Sequence, residues 1–187
     1  MSPENEPYII TTDRLHLREW LESDIEPFSK MSQDDAVMKY FPKKMTTSDT
    51  IKFIEKVKLD FKKNSFGLFA VEHKLTKEFL GYTGFAIPNF NSFFTPCIEI
   101  GWRYKKEAWG HGFATESATA CLAYGFTLLQ FERIVSFTAT VNEKSKSVMN
   151  RIGMKHIADF EHPRIEKEHI LCKHVLYQIT RSEFDKL

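Results

Sequence analysis

The sequence predicts a mixed α/β domain in which one sheet carries helices on both faces. Short runs rich in β-branched and aromatic residues alternate with stretches whose apolar residues recur at helical spacing. Their order, β-α-α-β-β-β-α-β-α-β-β, places helices before, between and after several strands, as a two-faced sheet requires. A strand, a glycine loop and a helix start also follow one another between Cys97 and Glu116.

Met1 to Glu6 is polar and reads as a loose tail, leaving one domain over 7–187. Thr12 to Trp20 alternates, with Leu15 and Leu17 on one face and Arg14, His16 and Arg18 on the other, as a first strand would. Ser23-x-x-Glu26 has the form of a capping box, which starts a helix running to about Ser32. Asp34 to Tyr40 adds a short turn that Pro42 ends. Ser48 or Asp49 caps the next helix, whose Ile51, Ile54, Val57 and Phe61 share one face. Phe66–His73 and Phe79–Ile87 are strands joined by the charged turn Lys74–Glu78, and Pro88–Pro96 is a loop holding Phe90, Phe93 and Phe94. A buried strand follows over Cys97–Tyr104, and a helix begins at about Ala114. Arg133–Val141 is a β-branched strand; Asn142 caps a short helix ending at Gly153. Ile157–Phe160 and His174–Thr180 close the sheet.

Composition narrows the function classes. The chain has 187 residues, 42% hydrophobic and 27% charged, enough for one sizeable core. A net charge of +1 speaks against a strongly basic nucleic-acid binder. No apolar run is long enough to span a bilayer and no basic-then-apolar leader is seen, so no membrane partner is expected. Cys97, Cys121 and Cys172 show no Cys-x-x-Cys spacing, which points to a reducing cytoplasm rather than a disulfide framework. The histidines and cysteine between His156 and His174 fit no common zinc spacing, so no metal is expected.

The glycine loop carries the chemistry. Two glycines one residue apart, ahead of a helix, aim backbone N–H groups and the positive end of the helix dipole at one spot, which suits an anion and above all a phosphate. The loop lacks the Gly-Lys-Ser/Thr of nucleotide hydrolases. It also fits the dinucleotide fingerprint poorly, because Thr115 falls at the third glycine and further residues separate the loop from the strand.

The run Glu99-Ile-Gly-Trp through Glu116, with Trp109-Gly110-His111-Gly112-Phe113-Ala114 at its centre, resembles the pyrophosphate loop of GNAT-type N-acetyltransferases, which bind acetyl-CoA. Trp109 stands where that pattern usually has Gln or Arg, as in the branch that looks like the RimJ/RimL ribosomal-protein N-terminal-alanine acetyltransferases. The resemblance covers nearly the whole chain. It implies a mostly antiparallel, twisted sheet splayed at its middle strands, with acetyl-CoA as co-substrate. It further implies main-chain contacts to the pantetheine arm from Trp102, Arg103 and Tyr104, and phosphate contacts from Gly110 to Thr115 with the Thr115 hydroxyl added. His111, Lys105 and Lys106 add charge there or form a solvated basic turn, and Trp109 packs under the loop. Asn142 would bond the pantetheine and Ser145 would lie near the sulfur, whereas the plainer reading is an ordinary helix cap. Met149 occupies the place where many relatives carry a tyrosine acid.

Glu99 is the candidate base, a mid-strand carboxylate whose burial raises its proton affinity; the plainer alternative is a structural pairing with Arg133. His162 and Arg164, with Phe90, Phe93 and Phe94, are placed to border an acceptor pocket or simply to pack. The expected activity is acetyl transfer to a primary amine by direct attack in a ternary complex, with Glu99 and Ser145 as the catalytic pair. The acceptor is a small amine, such as a polyamine or aminoglycoside, or a peptide N-terminus. The chain is a monomer or homodimer, and the alternative is a non-catalytic acyl-CoA sensor.

Overall fold

A computed structural model describes residues 8–187; the tail at Met1 to Glu6 and the first domain residue lie outside the described residues. Eight strands form one sheet in the order β1-β2-β3-β4-β5-β6-β8-β7. They are β1 (Tyr8–Thr11), β2 (Leu15–Arg18), β3 (Leu68–His73), β4 (Phe79–Ala86), β5 (Glu99–Tyr104), β6 (Arg133–Ala139), β7 (Lys155–Glu161) and β8 (Lys173–Thr180). Every neighbouring pair is antiparallel except β5 and β6. The helices are α1 (Ile25–Met31), α2 (Asp35–Met38), α3 (Thr47–Asn64), α4 (Phe113–Thr127), α5 (Glu143–Arg151) and α6 (Arg181–Phe184).

The N-terminal segment differs from the sequence expectation. The alternating stretch holds one short strand, β2, and a further strand, β1, precedes it, pairs with it and covers what looked like an exposed face. Tyr8 stacks on His16 at 3.8 Å between ring centroids, and its hydroxyl donates to Glu72 at 3.2 Å. His16 and Arg18 are therefore buried, 6% and 4% exposed. Arg18 is neutralised by Asp24 at 2.7 Å and Glu72 at 3.0 Å.

Two helix starts also move. Ser23 does not cap; the chain enters α1 through a 3-10 turn over Glu22–Asp24, where the Asp24 carboxylate accepts from the Leu21 N–H at 2.8 Å. Neither Ser48 nor Asp49 is the cap of α3. Thr46 is, its hydroxyl accepting from the Asp49 N–H at 3.1 Å while the Asp49 carboxylate accepts from the Thr46 N–H at 3.0 Å. Such a reciprocal pair satisfies two orphan donors at once, which a lone Ser48 could not.

The core lies on both faces of the sheet. On one, α1 and α3 cover an aromatic group of Trp20, Phe28, Phe53 and Tyr82. On the other, α4 lies across β4 and β5. There Thr83, Tyr104 and Ser117 join their hydroxyls in a buried triangle with sides of 2.6, 2.8 and 2.9 Å. A smaller cluster of Phe94, Val135 and Leu176, with Phe90, Phe137 and Phe160, sits under the loop before β5.

Candidate active site

The centre of the sheet opens between β5 and β6. The two strands run parallel and pair in register at Glu99 and Val135, where the Val135 N–H donates to the Ile98 carbonyl at 2.9 Å. On its other edge β5 is paired with β4 along its whole length, from Glu99 to Tyr104. Main-chain groups alternate sides along a strand. Ile98 faces β6, while Lys105 donates to Leu80 on the β4 side, so the even-numbered residues of β5 turn toward β6. Trp102 and Tyr104 therefore aim their N–H groups into the widening gap. Arg103 does not: its N–H and C=O face β4, and its expected main-chain contact gives way to a buried side chain.

The glycine loop follows directly. Gly110 and Gly112 both adopt φ of +81°, the left-handed region that other residues avoid. Gly112 is the residue preceding α4, so the loop delivers the first amides of that helix, those of Phe113, Ala114 and Thr115, to one spot. A Cβ built on Gly110 would meet nothing within 4 Å, so the loop is open above that residue. The Trp109 indole donates to the Tyr104 carbonyl at 3.0 Å, and the Lys144 ammonium lies 3.8 Å from the Trp109 ring centroid. The side chain thus packs under the loop and ties it both to β5 and to α5. His111 lies exposed at the loop's tip, stacked near Phe113 at 5.6 Å.

One support of the loop went unread in the sequence. Glu116, in the first turn of α4, accepts from the Thr12 hydroxyl at 2.6 Å and from the Arg14 main-chain N–H at 3.0 Å. It also pairs with the Arg14 guanidinium at 2.6 Å. Burial would raise the Glu116 carboxyl, but the hydrogen bonds from Thr12 and Arg14 outweigh it and hold the group below its ordinary value. The Arg14 guanidinium lies 4.7 Å from the Phe113 ring, and a Cβ on Gly112 would come within 3.5 Å of it.

At the far end of the gap, Asn142 caps α5. Its Oδ1 accepts from the Ser145 N–H at 3.3 Å, and its Nδ2 donates to Thr138 at 2.9 Å and to the Ser145 hydroxyl at 3.1 Å. Both Nδ2 hydrogens of Asn142 are thereby engaged, its Oδ1 keeps a second lone pair, and the Ser145 oxygen, already accepting, keeps its own proton to give. Met149 is 1% exposed and belongs to the core.

Glu99 is partly buried and makes no ion pair among the described residues; burial alone acts on it, with no contribution from Arg133. Burial pushes its carboxyl up to about 8. Beside it rises the aromatic cluster. The His162 ring lies tilted against Phe90 and His174, each at 4.9 Å between ring centroids, and Arg164 donates to the Asn89 carbonyl at 2.7 Å, pinning the loop after β7 to the loop before β5. Burial lowers His174 to about 4.

A family model described as an acetyltransferase (GNAT) domain matches residues 14–155. The N-acetyltransferase YnaD of Bacillus subtilis, itself uncharacterized, is 31% identical over 153 residues, covering 81% of this chain and 85% of that protein. A GNAT-family acetyltransferase from Bacillus anthracis superposes with a TM-score of 0.76 at 27% identity, over 92% of this chain and 98% of that one. RimL, the ribosomal L7/L12 α-N-protein acetyltransferase in complex with coenzyme A, superposes with a TM-score of 0.77 over 92% and 97% of the two chains; its identity of 16% speaks to the fold alone.

Proposed function

The chain belongs to the GNAT acetyltransferase family and has the character of an acetyl-CoA-dependent N-acetyltransferase, and from that premise we propose how its residues divide the reaction. The diphosphate of the donor seats on the amides of the Gly110–Thr115 loop. The pantetheine arm lies along β5 in the gap, bonded by the main chain of Trp102 and Tyr104, with one of these N–H groups meeting the oxyanion that forms on the acetyl carbonyl. The acceptor amine attacks that carbonyl directly in a ternary complex, the N–C bond forming as the carbonyl π pair moves onto oxygen; collapse of that oxyanion then breaks the C–S bond. Glu99 takes the proton released by the nitrogen, directly or through water. The Ser145 hydroxyl gives its proton to the departing thiolate and recovers one from solvent. Asn142 acts through Ser145, by fixing the first turn of α5.

The observation that supports this reading is the meeting of two donors of N–H groups: a β5 strand unpaired on one side beyond Ile100, and a helix start reached through two left-handed glycines. Titration calorimetry tests it. Acetyl-CoA should bind the wild type, and Gly112→Val should weaken that binding sharply; equal affinity would remove the loop from the site. Thiol release over a panel of amines tests catalysis. Binding without release from any amine would make the chain an acyl-CoA sensor.

A further inference from the structure

On the sheet face that carries Glu99, β5 presents Glu99, Gly101 and Arg103 in turn, because side chains two apart share a face. A Cβ built on Gly101 would meet only the Glu99 carboxylate, at 3.9 Å. The sheet is bare between the two charged residues, and the carboxylate leans over the bare stretch. On β4, Gly84 stands opposite Gly101 and Tyr82 opposite Arg103. Both Glu99 and Arg103 act electrostatically on the Tyr82 hydroxyl, and the Arg103 guanidinium also donates a hydrogen bond to it, a neutral partner that leaves the positive charge uncompensated. A carboxylate, a phenol and a guanidinium thus border one strip.

Arg103 is the anomaly in this strip. It is 8% exposed, and its Nε is buried without a hydrogen-bond partner. Its Nη1 meets the thioether sulfurs of Met38 and Met45, each at 3.5 Å. The Phe41 ring centroid lies 3.8 Å from the guanidinium carbon, with Tyr82 and Phe28 at 5.4 and 5.9 Å. Aromatic faces attract a cation, but no carboxylate pairs with this one among the described residues, and an arginine cannot shed its charge by losing a proton. Arg18 makes the contrast: it is just as buried and holds two carboxylates. A buried cation left open is costly unless an anion reaches it.

We propose that Arg103, assisted by Tyr82, is the recognition pole for a carboxylate carried by the acceptor. The acceptor is then a primary amine that also bears a carboxylate, its nitrogen toward Glu99 and its anion toward the guanidinium. Phe41 and Met45, both partly buried and on the irregular segment between α2 and α3, cover the guanidinium and give way to the anion. A polyamine would bring a second ammonium toward a fixed cation, and like charges brought together in a site select against that partner. This inference rests on the acetyltransferase reading and names its substrate class.

The experiment measures thiol release from acetyl-CoA with matched acceptors. These are β-alanine against β-alanine amide, 4-aminobutyrate against butylamine, spermidine, and peptides with an acidic or a neutral second residue. In the wild type, each carboxylate-bearing amine should exceed its uncharged match in kcat/KM by about tenfold or more, as a charge-assisted fork to a carboxylate provides. Free amino carboxylates and acidic peptides distinguish the two sources of that carboxylate. In Arg103→Met, whose side chain suits the sulfur and aromatic surroundings, the ratio should fall toward one through the KM of the carboxylated member, with acetyl-CoA affinity retained by calorimetry. Arg103→Lys should restore part of the ratio. A wild-type preference for spermidine or the uncharged matches overturns the inference, and so does a ratio that survives Arg103→Met. Should Arg103→Met fail to fold, the wild-type ratio decides. Binding of acetyl-CoA with no release from any amine would remove the catalytic reading and this inference with it; release confined to uncharged amines would remove this inference alone.

Discussion

Replacing Glu99 with Gln should leave two separate marks, one on turnover and one on the pH dependence of stability. Burial raises the carboxyl from 4.5 to about 8, so the folded chain keeps a proton that the unfolded chain releases over that interval. The stability linked to this group is fully present below about 4.5 and is lost as pH climbs through about 8. At about 1.4 kcal/mol per pH unit the ionised carboxylate would cost on the order of 4–5 kcal/mol; partial exposure lets water relax around it, and we take about 2–3 kcal/mol. Glutamine has nearly the same shape and no charge to bury. Urea denaturation at pH 5 and pH 9 should therefore show the wild type losing about 2–3 kcal/mol more than Glu99→Gln across that range. Turnover should fall about 100-fold or more in the variant, the usual contribution of a positioned base, while the wild-type rate rises with pH toward about 8. Identical pH dependence of stability in the two proteins would refute the burial of the charge, and unchanged turnover would refute the role as base.

Other changes probe the supports of the site. Gly112→Val forces a β-branched residue to φ of +81°, costing about 1–2 kcal/mol or more, so calorimetry should report acetyl-CoA affinity down about tenfold. Arg14→Ala removes the exposed half of the clamp on Glu116; thermal denaturation should show a loss of about 1 kcal/mol, and acetyl-CoA affinity should weaken with it. Thr83→Val leaves Tyr104 and Ser117 short of a partner in a site with no water access, and chemical denaturation should register about 1–3 kcal/mol. His174 is held near 4, so the unfolded chain takes up a proton first as pH falls below 6.5; stability is lost between about 6.5 and 4, and His174→Phe should reduce that acid sensitivity by about 1–2 kcal/mol.

What the sequence shows of this molecule depends on how local the cause is. Gly110 and Gly112 are legible because only glycine relaxes into the left-handed region, and the helix that follows announces itself by its apolar spacing. The opening between β5 and β6 is not written in either strand, since each reads as an ordinary buried run; it came by resemblance. The alternation Glu99, Gly101, Arg103 against Ile100, Trp102, Tyr104 does carry the face on which Arg103 lies, but its burial comes from Met38, Phe41 and Met45, about sixty positions away, and has no local signature. The clamp of Thr12 and Arg14 on Glu116 spans about a hundred positions and has no local signature. Asn142 shows the reverse case, since its cap on Ser145 spans three positions and is written in the local sequence.

Trp109 gives the molecule an optical handle on its own site. Its indole N–H is anchored at the end of β5 and its ring face carries the Lys144 charge from α5, so any shift of the loop against either element changes the polarity felt by the excited ring. The other two tryptophans, Trp20 and Trp102, lie in the packed interior or along the gap. With Trp20 and Trp102 replaced by phenylalanine, emission from Trp109 alone becomes a direct, label-free reporter of any movement of the loop when acetyl-CoA is added.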